Sequence, residues 1–598
     1  VFLSKTFENR SGLEGKAMKK NGKILLVIGC LVVIAITIYI LASRNPAAPG
    51  PGVTKTDELT LHTSEFPKSF NHYVNNAVDA AQVFDLVYAT LMEVDDETLE
   101  FQPLIAESWS ISPDQKEITV KINPAAKWSD GTPITAEDVK FTYDVIMNPE
   151  NLTSVMRMYL GRLNAPEVID EHTVKFTANT VHYKNLEMVA GFNILPKHLM
   201  EGKDFNKEFN MSLPGGSGPY DLTEVKEGRY YVLTRKENYW ADELPHRKGT
   251  YNFRRIRFRV MNSVVAFEAF KKGEFDIYDE ITAKRWMEDS NSEHFQKNWL
   301  VKQKIYNYAP RGFSGMALNM RRPLFQDLRV RRAIAHLLNR ELILETIMYG
   351  EYKPLTSYWP YLYEKGEESN PLIKYDPERA KDLLREAGYD RLDQSGYLVN
   401  KDGRRLEFSV AYVNEDSEKY LTVFVEDCKN AGVKVNLERY SWATLIKKMD
   451  QYDFDAVTIG WSGVLFPDPE QLWHSRHADE PGGSNLPGYR NPEVDRLIDS
   501  LPPIFDVAKR TAIIKEIDRL IYEDVPYLLF WEADYSRIFY KNIFGRPATV
   551  FTKYGSGVIS NWWIDPEKVE NYQQAVKSRQ ALPAEPVEIH YDDYAGED

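Results

Sequence analysis

Residues 101–147 read FQPLIAESWSISPDQKEITVKINPAAKWSDGTPITAEDVKFTYDVIM. Ile118, Val120 and Ile122 alternate with Thr119 and Lys121, the pattern of a strand with one buried face. Ser112-Pro113-Asp114 ahead of it supplies turn chemistry. Ser129-Asp130-Gly131 behind it supplies a second turn, with Gly131 free to take positive φ. Thr135 is placed to cap a helix whose first turn carries Glu137 and Asp138, where the helix dipole favours anions. Val139, Tyr143 and Ile146 then share one helical face. The stretch predicts a strand, a turn bearing Trp128 and a capped helix.

Outward from that stretch, the 598 residues are 43% hydrophobic and 27% charged, enough for a large core and two or three domains. The formal net charge of −14 disfavours nucleic acid as a partner, since that affinity rests on Lys and Arg against phosphate. The 35 Tyr and 12 Trp serve mostly as core and surface packing; a few would line a ligand cleft, where they offer rigid, half-polar contact area. Of two cysteines, Cys30 lies in the apolar amino-terminal run and Cys428 in the body. The body therefore has no internal disulfide, Cys-based metal site or CxxC redox centre.

Residues 24–42 are an unbroken apolar run, about the ~20 residues a spanning helix needs. Lys16, Lys19, Lys20 and Lys23 precede it, so residues 1–23 are read as a cytoplasmic or upstream segment and the body as lying outside. An uncleaved signal anchor, a cleaved secretory signal and a lipoprotein signal at Val27-Ile28-Gly29-Cys30 all place the body on the outer face. The first is favoured because apolar residues continue past Cys30. Residues 43–56 form a Pro/Gly-rich tether.

In the body, strands are expected at 59–61, 169–176, 230–235 and 251–260, and helices at 80–92 and 266–272. From 406 onward a strand, helix, strand, helix, strand run to Trp461 argues for a mixed α/β domain with crossover connections. A long strand is expected at 526–531. Residues 577–598 are acidic and polar and read as a disordered tail. No GxSxG elbow, HExxH helix or Cys–His arrangement is found, so no catalytic constellation stands out. His474 and His477 have metal-ligand spacing but run into Pro481-Gly482-Gly483, which favours a surface loop. Gly216-Ser217-Gly218-Pro219-Tyr220 lacks phosphate-loop spacing and reads as a structural turn.

The order AESW, SPD, strand, KWSDGTPITAEDVKFTYD resembles the hallmark region of the peptide-binding components of ABC importers, the extracellular solute-binding protein family 5. Leu195-Pro196-Lys197-His198-Leu199, Gly216 to Tyr220 and residues 315–338 (GMALNMRRPLFQDLRVRRAIAHLL) are similar to further segments of that family. Residues 251–259, 283–286, 321–325 and 483–486 resemble a subgroup that takes up oligopeptides and microcin C.

The resemblance covers 57–566 and implies an α/β fold, periplasmic-binding-protein-like (type II, cluster C), with two lobes built from three domains and a hinge, preceded by the membrane segment. Domain I would comprise 57–100, 206–305 and 536–576, domain II 101–205 and domain III 306–535, with two crossing strands as the hinge. The implied function is an extracytoplasmic, membrane-tethered (or, after cleavage, secreted) binding subunit, monomeric, non-enzymatic and without cofactor or metal. It would hold oligopeptides between the lobes for an ABC permease in the cytoplasmic membrane. The same fold holding an oligosaccharide, cell-wall fragment or metal chelate is the alternative.

Gly460-Trp461-Ser462-Gly463-Val464 resembles the family segment whose backbone pairs with bound peptide. Trp461, Ser462, Gly463 and Val464 are therefore expected in the site, with Tyr73, Tyr308, Arg311, Phe313 and Trp442. The family places an aspartate where Val464 stands, to meet a free amino terminus; Asp468 is the nearest substitute, or a turn residue before Pro469.

Overall fold

The computed structural model describes residues 57–595 apart from 76, 280 and 365. The apolar run 24–42, Cys30 and the tether 43–56 lie outside the described residues. Among the described residues no helix is long and apolar enough to cross a membrane.

The opening stretch folds as its pattern requires. Glu117–Ile122 lies between Ala106–Ile111 and Thr173–Thr177 in an antiparallel sheet, with Glu167–Asp170 at the far edge. Ile118, Val120 and Ile122 are buried, as is Trp128. Helix Ala136–Met147 opens on a capping box: the Asp138 carboxylate accepts the Thr135 N–H at 2.9 Å. Val139, Tyr143 and Ile146 face the core.

Two expectations need correcting nearby. The strand at 169–176 is two strands, because the chain turns at Glu171 and His172. The helix expected over 80–92 is Val78–Val87; Met92–Val94 then leaves it to pair with Phe101–Pro103. The apolar residues at 87–92 satisfied both patterns, and the strand partner decided.

A second sheet orders Glu58–Thr63, Arg255–Val260, Tyr230–Arg235 and Tyr220–Lys226. The glycine-rich turn leads into its last strand. Lys236 Nζ donates to the carbonyls of Gly216 (2.9 Å) and Gly218 (2.5 Å), and a Cβ on Gly218 would lie 2.5 Å from the Leu86 carbonyl oxygen. The loop is a structural turn whose oxygens grip a lysine.

The sheet that positions the site orders Lys434–Arg439, Glu407–Tyr412, Ala456–Trp461, Phe313–Leu318 and Tyr527–Leu529. The first three run parallel, joined through helices Glu418–Asn430 and Trp442–Asp450; Phe313–Leu318 is antiparallel to Ala456–Trp461. Successive side chains enter opposite cores. Met316, Leu318, Val410 and Ala456 pack with Val330 and Ile334 on one face. Phe313, Ala317, Ala411 and Val457 pack with Trp473 and Ile517 on the other. A sheet covered on both faces draws apolar residues to consecutive positions, which is why Met316–Leu318, Val410–Ala411 and Ala456–Val457 lack the alternation seen at 117–122.

The last sheet orders Ile277–Tyr278, Ser536–Lys541, Leu300–Tyr306 and Glu588–His590. Its fourth strand overturns the disordered-tail expectation for the described part of 577–598. Glu588–His590 pairs in parallel with Leu300–Tyr306, Ile589 is buried, and the His590 ring stacks on Tyr306 at 4.2 Å. An open sheet edge supplies main-chain partners to any sequence, so acidic composition did not reveal it.

Candidate functional site

The geometry of the site follows from one ladder. The Phe530 N–H donates to the Ser314 carbonyl at 2.9 Å, so the main chain of Ser314 faces Tyr527–Leu529. Neighbouring residues of an antiparallel strand alternate direction. Phe313 and Gly315 therefore face Trp461 and Ile459, and Gly460, opposite Ser314, turns its N–H and C=O away from this ladder. On that side Glu407–Tyr412 pairs only as far as Ala411 against Val457. Gly460 is exposed, and its donor and acceptor have no strand partner among the described residues.

This open edge borders two adjoining concavities that share Ser314, Gly460 and Trp531 as walls. The larger holds about 950 Å³ and is faced by Trp442, Trp531, Tyr420, Tyr352 and Tyr349. Lys284, Arg285, Lys419, Asp289 and Asp416 give it a mixed-charge margin. The smaller holds about 480 Å³ between 310–314, 460–462 and 531–533. Trp531 is fixed by a T-shaped contact with Tyr420, with ring centroids 4.9 Å apart. Its carbonyl accepts from Ser314 Oγ at 3.3 Å.

The expected site residues divide. Trp461 and Ser462 line the smaller concavity; Trp461 is half-buried and its Nε1 donates to Tyr527 Oη at 3.2 Å. Gly463 does not line it but packs on 310–311, where a Cβ would lie 2.7 Å from the Arg311 carbonyl carbon. Val464 is 49% exposed beyond both concavities, and its carbonyl accepts from Tyr361 Oη at 2.9 Å. Trp442, 49% exposed, lines the larger concavity from the first turn of its helix. Arg311 lines the smaller one.

Two residues are placed otherwise, and Phe313 borders the smaller concavity with its side chain turned into the core. Tyr73 is a core residue: it is 2% exposed, its Oη donates to the Asn193 carbonyl at 2.6 Å, and burial raises its pKa. The Phe313 side chain is buried among Tyr358, Trp473 and Tyr527. Tyr308 is exposed outside both concavities and donates to Asp592 at 2.8 Å. Asp468 makes the turn contact: it accepts the Glu470 N–H at 3.1 Å and lies 3.8 Å from Arg162.

The sequence did not single out Trp531, Tyr420, Tyr349, Tyr352 or Glu532. They come from the first turn of helix Glu418–Asn430 (Tyr420), the loop at 349–352 and the short strand Trp531–Glu532, and no periodicity marks them. Within the concavity burial raises the pKa of Glu532, whose carboxylate is 3.5 Å from Lys353. Burial lowers that of Arg311 against the field of Asp534 and Glu532.

Elsewhere, His182, Asp468 and Glu470 bring ligand atoms within 4.8 Å of one another. Arg162 occupies their midst, 2.8 Å from His182 Nε2 and 2.9 Å from Glu470, and so supplies the positive charge there itself. His474 is buried with Arg476 against both its nitrogens, at 3.0 Å to the backbone N and 2.8 Å to Nη2, and His477 lies 2.7 Å from Glu480.

The α/β body with its crevice shares the periplasmic-binding-protein-like fold of solved structures. The solved structure of the oligopeptide-binding protein AppA from Bacillus subtilis, in complex with a nonapeptide, has this fold. It aligns with a TM-score of 0.71 at 24% identity, covering 86% of this chain and 100% of that one. The chain belongs to the bacterial extracellular solute-binding proteins, family 5, whose Middle model matches residues 100–483. It is 27% identical over 573 residues to YejA from Escherichia coli strain K12, spanning 89% of this chain and 92% of that protein. It is 27% identical over 483 residues to the peptidoglycan-binding protein YepA from Agrobacterium fabrum strain C58, spanning 73% and 78%.

Proposed function

We propose that the chain is the extracytoplasmic binding subunit of an ABC importer that holds oligopeptides in the crevice beside Gly460 and delivers them to a permease. The observation that carries this is the unpartnered main chain of Gly460 at the edge of an aromatic-walled crevice of about 950 Å³. A receptor for many sequences must hold what all peptides share, and strand addition does so. Trp461, Ser462, Trp442 and Arg311 would contact the solute, and water would fill the remaining space beside variable side chains. Resemblance to the oligopeptide-binding protein AppA, in sequence and in structure, supports the same assignment.

On this reading domains I and II form one lobe, with the boundaries given above, and 306–535 the other. The strands Leu300–Tyr306 and Ser536–Lys541 carry the chain between them. A solute touching both lobes favours closure by its greater affinity for the closed state. The protein works as a monomer, without catalysis, tethered through 24–42.

Titrating the protein with defined tri- to nonapeptides while following tryptophan fluorescence tests this. Saturable binding of unrelated sequences supports it; failure of every peptide overturns it. A cell-wall fragment is the second reading, favoured by the uncharged Val464 and the similarity to YepA. Muropeptide binding with no response to plain peptides would establish it instead.

A further inference from the structure

The smaller concavity contains a cation that feels the field of Asp534 and Glu532 but, among the described residues, is bonded by neither. Among the described residues no group accepts a hydrogen bond from Arg311 and none forms an ion pair with it, yet its Nη2 is buried. A guanidinium keeps its charge at any physiological pH and carries five donors in a planar fork. Burying one nitrogen of such a fork without an acceptor costs free energy that a bound anion recovers. The two acids whose field reaches it do not bond it: Glu532 and Asp534 each lie 3.5 Å from Lys353 Nζ. Arg311 is also held in place. It follows Pro310, whose carbonyl Gly463 overlies, and precedes Gly312, whose Cα abuts the Trp461 carbonyl. The backbone that presents the fork is thus clamped to the strand end carrying Gly460 and Trp461.

We infer that Arg311 is a specificity residue that receives a carboxylate of the bound peptide, terminal or from an Asp or Glu side chain, so that this receptor selects acidic over neutral solutes. The inference rests on the peptide reading above and deepens it. The uncharged Val464 fits the same picture. With no acid at that position to fix a free amino terminus, Arg311 fixes the ligand by its negative group instead. A planar fork meets a carboxylate with two parallel hydrogen bonds, which gives register along the Gly460 edge as well as affinity.

The test uses the full chain, dialysed free of small molecules, and amino-acetylated pentapeptide pools that differ only in charge. One pool has a free carboxyl terminus, one is amidated, one is amidated with a central Asp, and one is amidated with a central Asn. Native mass spectrometry reads the fraction bound. Wild type should favour at least one acid pool over its neutral counterpart by about tenfold to a hundredfold. The amidated pair identifies a side-chain carboxylate and the free-acid pair a terminal one. Arg311→Gln should collapse the acid-to-neutral ratio towards one, and Arg311→Lys, which keeps charge without the fork, should restore part of it. Equal binding of all four pools by wild type overturns the inference and leaves peptide binding standing, whether or not the variants fold. Binding of no pool also overturns the inference, and the peptide reading is then decided by the titration with unmodified peptides above.

Discussion

Gly312 and Trp461 meet backbone to backbone: a Cβ on Gly312 would lie 2.6 Å from the Trp461 carbonyl carbon. No side chain fits there without moving one of the two strand ends. The contact sets the register of Phe313 opposite Trp461 and so turns Gly460 outward.

Gly312→Ala is therefore expected to push 460–463 away from 310–313, at about 1–3 kcal/mol for overpacking. Peptide affinity should fall at least tenfold and the melting temperature should drop. Unchanged affinity would mean that the Gly460 edge does not hold the solute.

Trp461→Ala removes the wall of the smaller concavity and the donor to Tyr527 Oη. Affinity should fall severely, with Trp461→Phe intermediate. Equal calorimetric affinity in wild type and alanine variant would take Trp461 out of the site.

Asp518 is buried in helix Val507–Asp524, where it accepts from the Tyr358 N–H at 2.8 Å, Tyr363 Oη at 2.8 Å and Asn370 Nδ2 at 2.9 Å. It ties down the segment from which Tyr361 reaches the Val464 carbonyl. Asp518→Ala leaves these donors unsatisfied and should cost about 3 kcal/mol. Thermal scans should show a lowered transition, and Asp518→Asn a smaller loss.

His182 gives a pH dependence of known sign. Burial, aided by Arg162, lowers its pKa from 6.5 to about 4, and its ring already faces donors at both nitrogens, Arg162 Nη1 and the Lys184 N–H. Between about 6.5 and 4 the unfolded chain takes up a proton that the folded ring refuses. The stability that His182 contributes is full above 6.5 and is lost as pH falls towards 4. The melting temperature of wild type should decline over that window, and His182→Gln should flatten the decline. Identical slopes would remove His182 as a cause.

What could be read from the sequence was what local chemistry decides. Thr135 with Asp138 caps its helix where expected, and Asp327 accepting the Arg329 N–H at 2.9 Å and Asp376 accepting the Arg379 N–H at 2.9 Å cap theirs by the same local chemistry. Aromatic residues were harder, because a tyrosine suits a core and a cleft for the same reasons. Tyr73 and Phe313 went to the core, while Trp531 and Tyr420, which face the crevice, carried no local mark. Arg311 was placed near the cleft by its position in the chain, but its lack of a partner emerges only in three dimensions.

The carboxyl-terminal strand shows the same limit. Deleting 586–598 removes buried Ile589, the His590–Tyr306 stack and the bond from Tyr308 to Asp592. The melting temperature should fall by several degrees. A truncated chain as stable as wild type would restore the disordered-tail reading.

The central claim is that this crevice holds peptides by their main chain, and native mass spectrometry of the gently purified protein tests it most directly. The account predicts a family of co-purifying masses that fragment into many different peptide sequences. One homogeneous non-peptide mass would contradict it.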